Sequence, residues 1–235
     1  MPVYSPAGSD TDRLATLETV FKTSGLDNDD ARLLPPTIRT AVQNFLPIYR
    51  PVVAALDQAS AGRAREVTEK DTAQAKLKTF VQDFFEGLKR RTNREGHGVA
   101  ALVHYGLPQA GDNPALDAGG DLEKAAVGIV AGETAAVAAG LPAMANPTAA
   151  EVAAALASYR KEAGEVVPAD VKVREAQVAA AALRAPADEL LADVKDELSH
   201  ALRKLTGPGQ RRVLRLFGFK YTPLPGETPE PEPVV

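Results

Sequence analysis

The residues best equipped for chemistry are few. Glu197-Leu198-Ser199-His200 sets a carboxylate and an imidazole three positions apart in a helical stretch, the spacing by which carboxylate-bridged metal bundles present two of their ligands. Asp83-Phe84-Phe85-Glu86 offers a carboxylate pair at the same spacing in an earlier segment. Such ligands must point into the bundle, and helical geometry turns this pair away. At about 100° per residue, Val194, Leu198 and Leu202 mark one face, His200 lies nearly opposite it and Glu197 on its flank. His97 and His104 are seven residues apart, but Gly98 interrupts the segment that joins them. The chain has no Cys, which excludes disulfides, thiol nucleophiles and thiolate-held metals. Phosphate-cradling glycine loops, nucleophile elbows and paired-histidine zinc motifs are absent from the sequence as well. We therefore assign no catalytic, cofactor-binding or metal-binding residue and expect a non-enzymatic protein.

Positive charge is the stronger signal. Lys89, Arg90, Arg91 and Arg94 close one helical stretch, and Arg203 and Lys204 close another. Cations at a helix C-terminus complement the macrodipole and need no ligand. Arg211, Arg212 and Arg215 differ, because they fall at the start and middle of the next short helix, where positive charge opposes the dipole. Something acidic should offset them: the chain's own Glu-rich tail, a protein partner or phosphate. The same stretch carries Phe217, Phe219, Lys220 and Tyr221. Arginine and aromatic side chains together are favoured at interface hot spots, so these seven residues form the candidate partner-binding site. The expected function is a structural or protein-interaction module, self-associating or part of an assembly, whose partner is another protein or a second copy. Nucleic-acid or polyanion binding through the same basic patch is the alternative. A metal-dependent carboxylate enzyme ranks below both.

Composition frames these expectations. Of 235 residues, 45% are hydrophobic and 25% charged, with a net charge of −4 and no Trp. Aromatics at 5% leave Leu, Val and Ala to build the core. The apolar window 121–140 carries Asp121, Glu123, Lys124 and Glu133, too much charge for a membrane span. MPVYSPAGSD lacks a basic segment followed by an apolar one, so no membrane attachment is expected, and a cytoplasmic location is.

The elements that would hold the site are helices throughout. Ser9 or Asp10 can cap a helix bearing Leu14, Leu17, Val20 and Phe21, and Gly25 can end it. Pro35-Pro36 suits a helix start; Ile38, Val42, Phe45, Leu46 and Tyr49 then share a face, with breaks or kinks expected at Pro47 and Pro51. Leu77, Phe80, Val81, Phe84 and Leu88 keep helical spacing. A Gly/Pro/Asn/Asp-rich linker follows at 109–121. The second half starts helices at 122 and Pro147, with breaks expected at Pro168 and Pro186, and ends in a short helix stopping at Phe217. No stretch alternates with period two, so almost no strand is expected. Residues 1–8 and the acidic Pro-rich tail 224–235 look unstructured.

The two halves also echo one another. Leu77, Phe80, Phe84 and Leu88 match Leu191, Val194, Leu198 and Leu202 at an offset of 114 residues. Val42, Leu46, Tyr49 and Arg50 match Val152, Leu156, Tyr159 and Arg160 at 110, and Arg65-Glu66 matches Arg174-Glu175 at 109. Leu102, Tyr105 and Gly106 match Leu214, Phe217 and Gly218. Amphipathic helices align by construction, but the shared Tyr-Arg, Arg-Glu and aromatic-Gly pairs in one order do not. The expected fold is all-α: an internally duplicated helical bundle with disordered termini, in which repeat unit 1 spans 9–108 and repeat unit 2 spans 122–223.

Overall fold

The computed structural model describes residues 3–25, 33–95, 100–107, 116 and 119–222. Within these the chain is all-α apart from one short strand pair. Its elements are β1 (Val3–Ser5), α1 (Asp10–Ser24), α2 (Pro36–Glu95), α3 (Ala100–Val103), α4 (Gly119–Ala138), α5 (Ala149–Ala201), α6 (Gly207–Leu216) and β2 (Lys220–Thr222). His97, the tail 224–235 and all of the 109–121 linker except Leu116 and Gly119–Asp121 lie outside the described residues.

Local chemistry sets the helix ends. The Ser9 hydroxyl oxygen accepts from the Asp12 backbone N–H at 3.0 Å, so Ser9 is the N-cap of α1. Thr148 and Glu151 form a reciprocal capping box before α5: Thr148 Oγ1 accepts from the Glu151 N–H at 3.2 Å, and Glu151 Oε2 from the Thr148 N–H at 2.8 Å. α3 and α6 end alike. Gly106 (φ +70°) and Gly218 (φ +88°) supply the left-handed residue. The Gly106 N–H then bonds Val103 O and the Leu107 N–H bonds Leu102 O, as Gly218 bonds Arg215 O and Phe219 bonds Leu214 O. Both are Schellman endings closed by a buried apolar pair, Leu102–Leu107 and Leu214–Phe219.

Three expectations are corrected. Pro47 and Pro51 sit inside the 60-residue α2, and Pro168 and Pro186 inside the 53-residue α5, without ending either helix. All four prolines are exposed, as are Gln43, Pro47, Gly164 and Ala182 four positions before them. The carbonyls that lose a donor therefore face water, which satisfies them. The N-terminus is not loose throughout: β1 pairs antiparallel with β2 in the register Val3↔Thr222, Tyr4↔Tyr221, Ser5↔Lys220. Tyr4 holds it there, its ring 6.0 Å from that of Phe219 and 5.9 Å from that of Tyr221, with Lys195 Nζ 4.9 Å from the ring centre. Finally, the last residues of the expected linker, Gly119–Asp121, are the first turn of α4.

The chain divides into two compact units, Met1–Ser60 with Lys172–Val235, and Ala61–Val171. The first holds α1, the opening of α2, the closing part of α5, and α6. Its core centres on Leu17, Val20, Leu46, Tyr49, Val194, Leu198 and Phe217. The second holds the closing part of α2, α3, α4 and the opening of α5, around Leu77, Phe84, Leu88, Tyr105, Ile129 and Val152. This spatial division differs from a cut at the 109–121 linker, because each unit draws on both halves of the sequence.

Candidate functional site

The predicted partner-binding residues all belong to the first unit, and the fold sorts them into two groups. Phe217 and Phe219 are core residues, 0% and 2% exposed. The aromatic pair therefore anchors α6 and offers no surface. The Gln210 side-chain amide donates to Leu202 O at 3.2 Å and Leu205 O at 3.1 Å, so α6 also satisfies carbonyls of the turn that joins it to α5. Thr23 Oγ1 of α1 donates to Leu216 O at 3.2 Å. Lys220 Nζ reaches Asp12 Oδ1 at 2.7 Å and is engaged within the unit. Tyr221 is half-buried beside Tyr4.

The three arginines occupy the other side of α6. At about 100° per residue, Arg211, Arg212 and Arg215 span roughly 100° of arc, opposite the sector of Gln210, Leu214 and Phe217. Arg212 is exposed, and Arg211 and Arg215 are half-buried. The first turn of α6 has no acidic residue, and Thr206 caps it without a side-chain hydrogen bond. Burial raises the Tyr221 hydroxyl above the ordinary tyrosine range, while the Arg211 and Arg215 guanidinium charges pull it down. Arg203 and Lys204, just before α6, are exposed; Arg203 Nη1 lies 2.9 Å from His200 Nε2.

The histidine and carboxylate candidates do not converge. Glu197 and His200 are both exposed on α5, and Asp83 and Glu86 are exposed on α2, with Glu86 paired to Arg90 at 2.8 Å. His104 is exposed at the end of α3.

Three constellations escaped the sequence reading. In the second unit Glu66 and Glu69 of α2 meet Glu162 and Glu165 of α5, with one oxygen of each within 4.8 Å of the others. Glu66 and Glu162 are 16% and 15% exposed and each keeps a buried Oε2 without a hydrogen-bond partner. Arg65 serves Glu66 and Glu69 at 3.3 and 3.4 Å, and Lys161 serves Glu162 and Glu165 at 3.0 and 3.5 Å. An all-oxygen set of this kind suits a hard divalent cation, and among the described residues it is the grouping with that donor set. Two Glu-x-x-Glu spacings were its only trace in the sequence. Elsewhere in that unit, the buried Glu133 accepts from the Tyr105 hydroxyl at 2.6 Å and the Met144 N–H at 2.5 Å, tying the segment after α4 to α3. In the first unit, the buried Asp10 accepts from Arg184 and from the Tyr49 hydroxyl at 3.2 Å. Both networks are saturated within the fold, which is how structural buried polar groups behave. No protein family, curated protein or solved structure matches the chain, and no helix among the described residues is long and apolar enough to cross a membrane.

Proposed function

We propose that this chain is a non-enzymatic structural or protein-interaction module, self-associating or part of an assembly, that makes contact through α6. One observation carries the reading. α6 commits Leu214 and the flanking Phe217 and Phe219 to the core while keeping Arg211, Arg212 and Arg215 together on its opposite side. Three cations on a helix anchored at both ends form a surface for an acidic partner in which little backbone freedom remains to be lost on binding. The buried polar networks favour a structural over a catalytic role, because their donors and acceptors are already used.

Internal duplication belongs to the same proposal, with repeat units at 9–108 and 122–223. Several paired features support it besides the matching Schellman endings. The Tyr49 hydroxyl bonds Asp10 at the start of α1, and the Tyr159 hydroxyl lies against Gly119 at the start of α4. Arg50 then pairs with Glu18 of α1 at 2.8 Å, and Arg160 with Glu123 of α4 at 2.6 Å. Each compact unit would then combine the opening of one repeat with the closing of the other, as in an exchange of segments within one chain.

The test is to replace Arg211, Arg212 and Arg215 with Glu in the intact chain and measure mass by light scattering over a concentration series, with helicity followed by circular dichroism. The reading expects assembly at high concentration that the triple variant loses at unchanged helicity. A wild-type chain that stays monomeric overturns self-association. A gel shift with a DNA duplex that weakens steeply with salt, and that the variant abolishes, would favour the polyanion alternative.

A further inference from the structure

We propose that the outer face of α4, with the groove it forms against the opening of α5, contacts a second copy of this chain across a two-fold axis beside Ala131. The contact is separate from the α6 surface and belongs wholly to the second compact unit.

The face is apolar where a solvated one would be charged. At about 100° per residue, Val127, Ala131, Thr134 and Ala138 share the side of α4 opposite its core residues Leu122, Ala126, Ile129 and Ala136. All four are exposed. Their spacing alternates between four and three residues, as in a coiled-coil seam. From Val127 to Leu141 the one charged residue is Glu133, which is buried, and from Val152 to Tyr159 of α5 there is none. Beside the seam, Val127, Val130 and Thr134 of α4 and Ala153, Leu156 and Ala157 of α5 line an open groove of about 640 Å³.

Three properties select a second copy as the occupant. The first is shape. Ridge and groove lie side by side on one surface, so a two-fold axis sets the ridge of each copy against the groove of the other, an isologous contact. The second is charge. Antiparallel pairing of two α4 helices about Ala131 sets Lys124, seven residues before it, beside Ala138 of the second copy, seven residues after it. The last turn of α4 holds no basic residue, and a cation there complements the helix C-terminus. Lys124 is exposed, and its ion pair with Asp121 is 3.9 Å long, the weakly held kind. The third is area. The 20 residues of α4 are about 30 Å long, and two packed helices present a face about 20 Å across. That gives about 600 Å² per copy and about 1,200 Å² in all, the lower edge of specific interfaces. The dimer is therefore concentration-dependent, not obligate.

Ala131→Glu keeps a good helix former at an exposed position and sets two like charges against each other on the axis. Sedimentation of the intact chain over a concentration series should show a monomer–dimer equilibrium that persists in 1 M salt, where the Debye length is about 3 Å. Ala131→Glu should weaken it more than about tenfold at unchanged helicity by circular dichroism. The chain contains no Cys, so an Ala131→Cys variant carries a single thiol that meets its own copy. A disulfide needs Cβ atoms about 3.8 Å apart. Under mild oxidation this variant should therefore cross-link far faster than Val178→Cys, an exposed position elsewhere on α5. A wild-type chain that stays monomeric, an Ala131→Glu dimer as tight as wild type, or equal cross-linking of the two Cys variants overturns the proposal. The α6 arginines act on assembly beyond this dimer, so the Arg211→Glu/Arg212→Glu/Arg215→Glu chain should stop at the dimer. Loss of the dimer in that variant, with Ala131→Glu unaffected, assigns the contact to α6 and overturns the α4 interface. A wild-type dimer that grows no further leaves the α4 interface standing and removes self-association through α6.

Discussion

Arg184 of α5 grips the carboxylate of Asp10, the first residue of α1, through Nε to Oδ1 at 3.0 Å and Nη2 to Oδ2 at 2.8 Å. Asp10 is 7% exposed while Arg184 keeps 44% of its surface. The acid is therefore the desolvated partner, and it also sits where a helix N-terminus favours negative charge. Hydrogen bonds from Arg184 hold the Asp10 carboxyl below the usual carboxylate range, against the opposing effect of burial. A lowered folded-state pKa contributes stability that is present above the unfolded value and lost as pH falls through the folded one. Asp10→Asn should cost about 1–2 kcal/mol at neutral pH, discounted for the exposure of Arg184. Its deficit against wild type should shrink as pH falls below about 4. Denaturant titrations at pH 7 and pH 3 check this; a deficit that is constant with pH would mean that the charge of Asp10 is irrelevant.

Two buried tyrosines predict the alkaline limb. Burial first, and the Asp10 carboxylate second, push the Tyr49 hydroxyl up to about 12. Burial and then Glu133 push Tyr105 in the same direction. A raised folded-state pKa gives stability that is complete below the unfolded value, about 10 for tyrosine, and lost as pH rises toward the folded one. Stability should therefore fall between pH 10 and 12. Tyr49→Phe should cost about 1 kcal/mol at pH 7 for the lost hydrogen bond while flattening that fall. Tyrosinate absorbance read alongside circular dichroism checks it, since Tyr49 and Tyr105 should ionise only as helicity is lost.

The glutamate quartet predicts a gain on substitution. Four carboxylates share two cations, and two buried oxygens lack partners. Replacing Glu66 and Glu162 with Gln removes like-charge repulsion and gives each site an amide donor for its neighbour. The double variant should gain about 1 kcal/mol, or roughly 2–4 °C in melting temperature for a chain of this size. A lower melting temperature in chelator-treated buffer would contradict it.

What the sequence revealed follows from how far each cause reaches along the chain. Leu77, Val81, Phe84 and Leu88, like Val194, Leu198 and Leu202, announce their face through spacing alone, and all are buried. Ser9 and Gly25 were legible because capping is local. The prolines misled because a proline reads as a helix breaker when its place on the helix is ignored: Pro47 and Pro51 fall opposite the face of Val42, Leu46 and Tyr49, and all four prolines lie on the exposed side, where water satisfies the freed carbonyls. β1 is three residues long, too short to display an alternation. Phe217 and Phe219 illustrate a different ambiguity, since an aromatic next to arginines suits an interface and a core equally well. The heptad-like position of Phe217 after Leu214 and Gln210 could have settled it. Glu133, Asp10 and the glutamate quartet depend on partners brought from elsewhere by tertiary packing, and no local rule points to them.

The paired glycines predict an ordered pair of effects. Gly106 and Gly218 both hold positive φ, so Ala at either should cost about 1 kcal/mol in backbone strain. A Cβ on Gly106 meets nothing, whereas one on Gly218 would stand 3.1 Å from Thr19 Cβ and 3.3 Å from Thr16 Cα on α1. Gly218→Ala should therefore be the more damaging, by a further ~1 kcal/mol for overpacking. Thermal unfolding of the two single variants decides it; equal losses would show that α1 yields at no cost.

The division of the chain into units that each mix both halves predicts how fragments behave. Residues 1–115 hold α1, α2 and α3, and so carry Leu46 and Tyr49 of one core together with Phe84 and Leu88 of the other. The complements of these residues, Val194 and Leu198 for the first core and Ile129 and Val152 for the second, lie in residues 116–235. Either fragment alone leaves two apolar faces in water, at about 25 cal/mol for each Å² left unburied. It should fail to form a cooperatively folded monomer. If the halves are repeats, each can substitute for the other, so isolated fragments should pair with themselves, and a mixture should form a 1:1 complex with the helicity of the intact chain. Light scattering and circular dichroism on the separate and mixed fragments distinguish the outcomes. A monomeric half that melts cooperatively would show that the exchange of segments is unnecessary for folding. Complementation without self-pairing would separate mutual dependence from duplication and leave the first without the second.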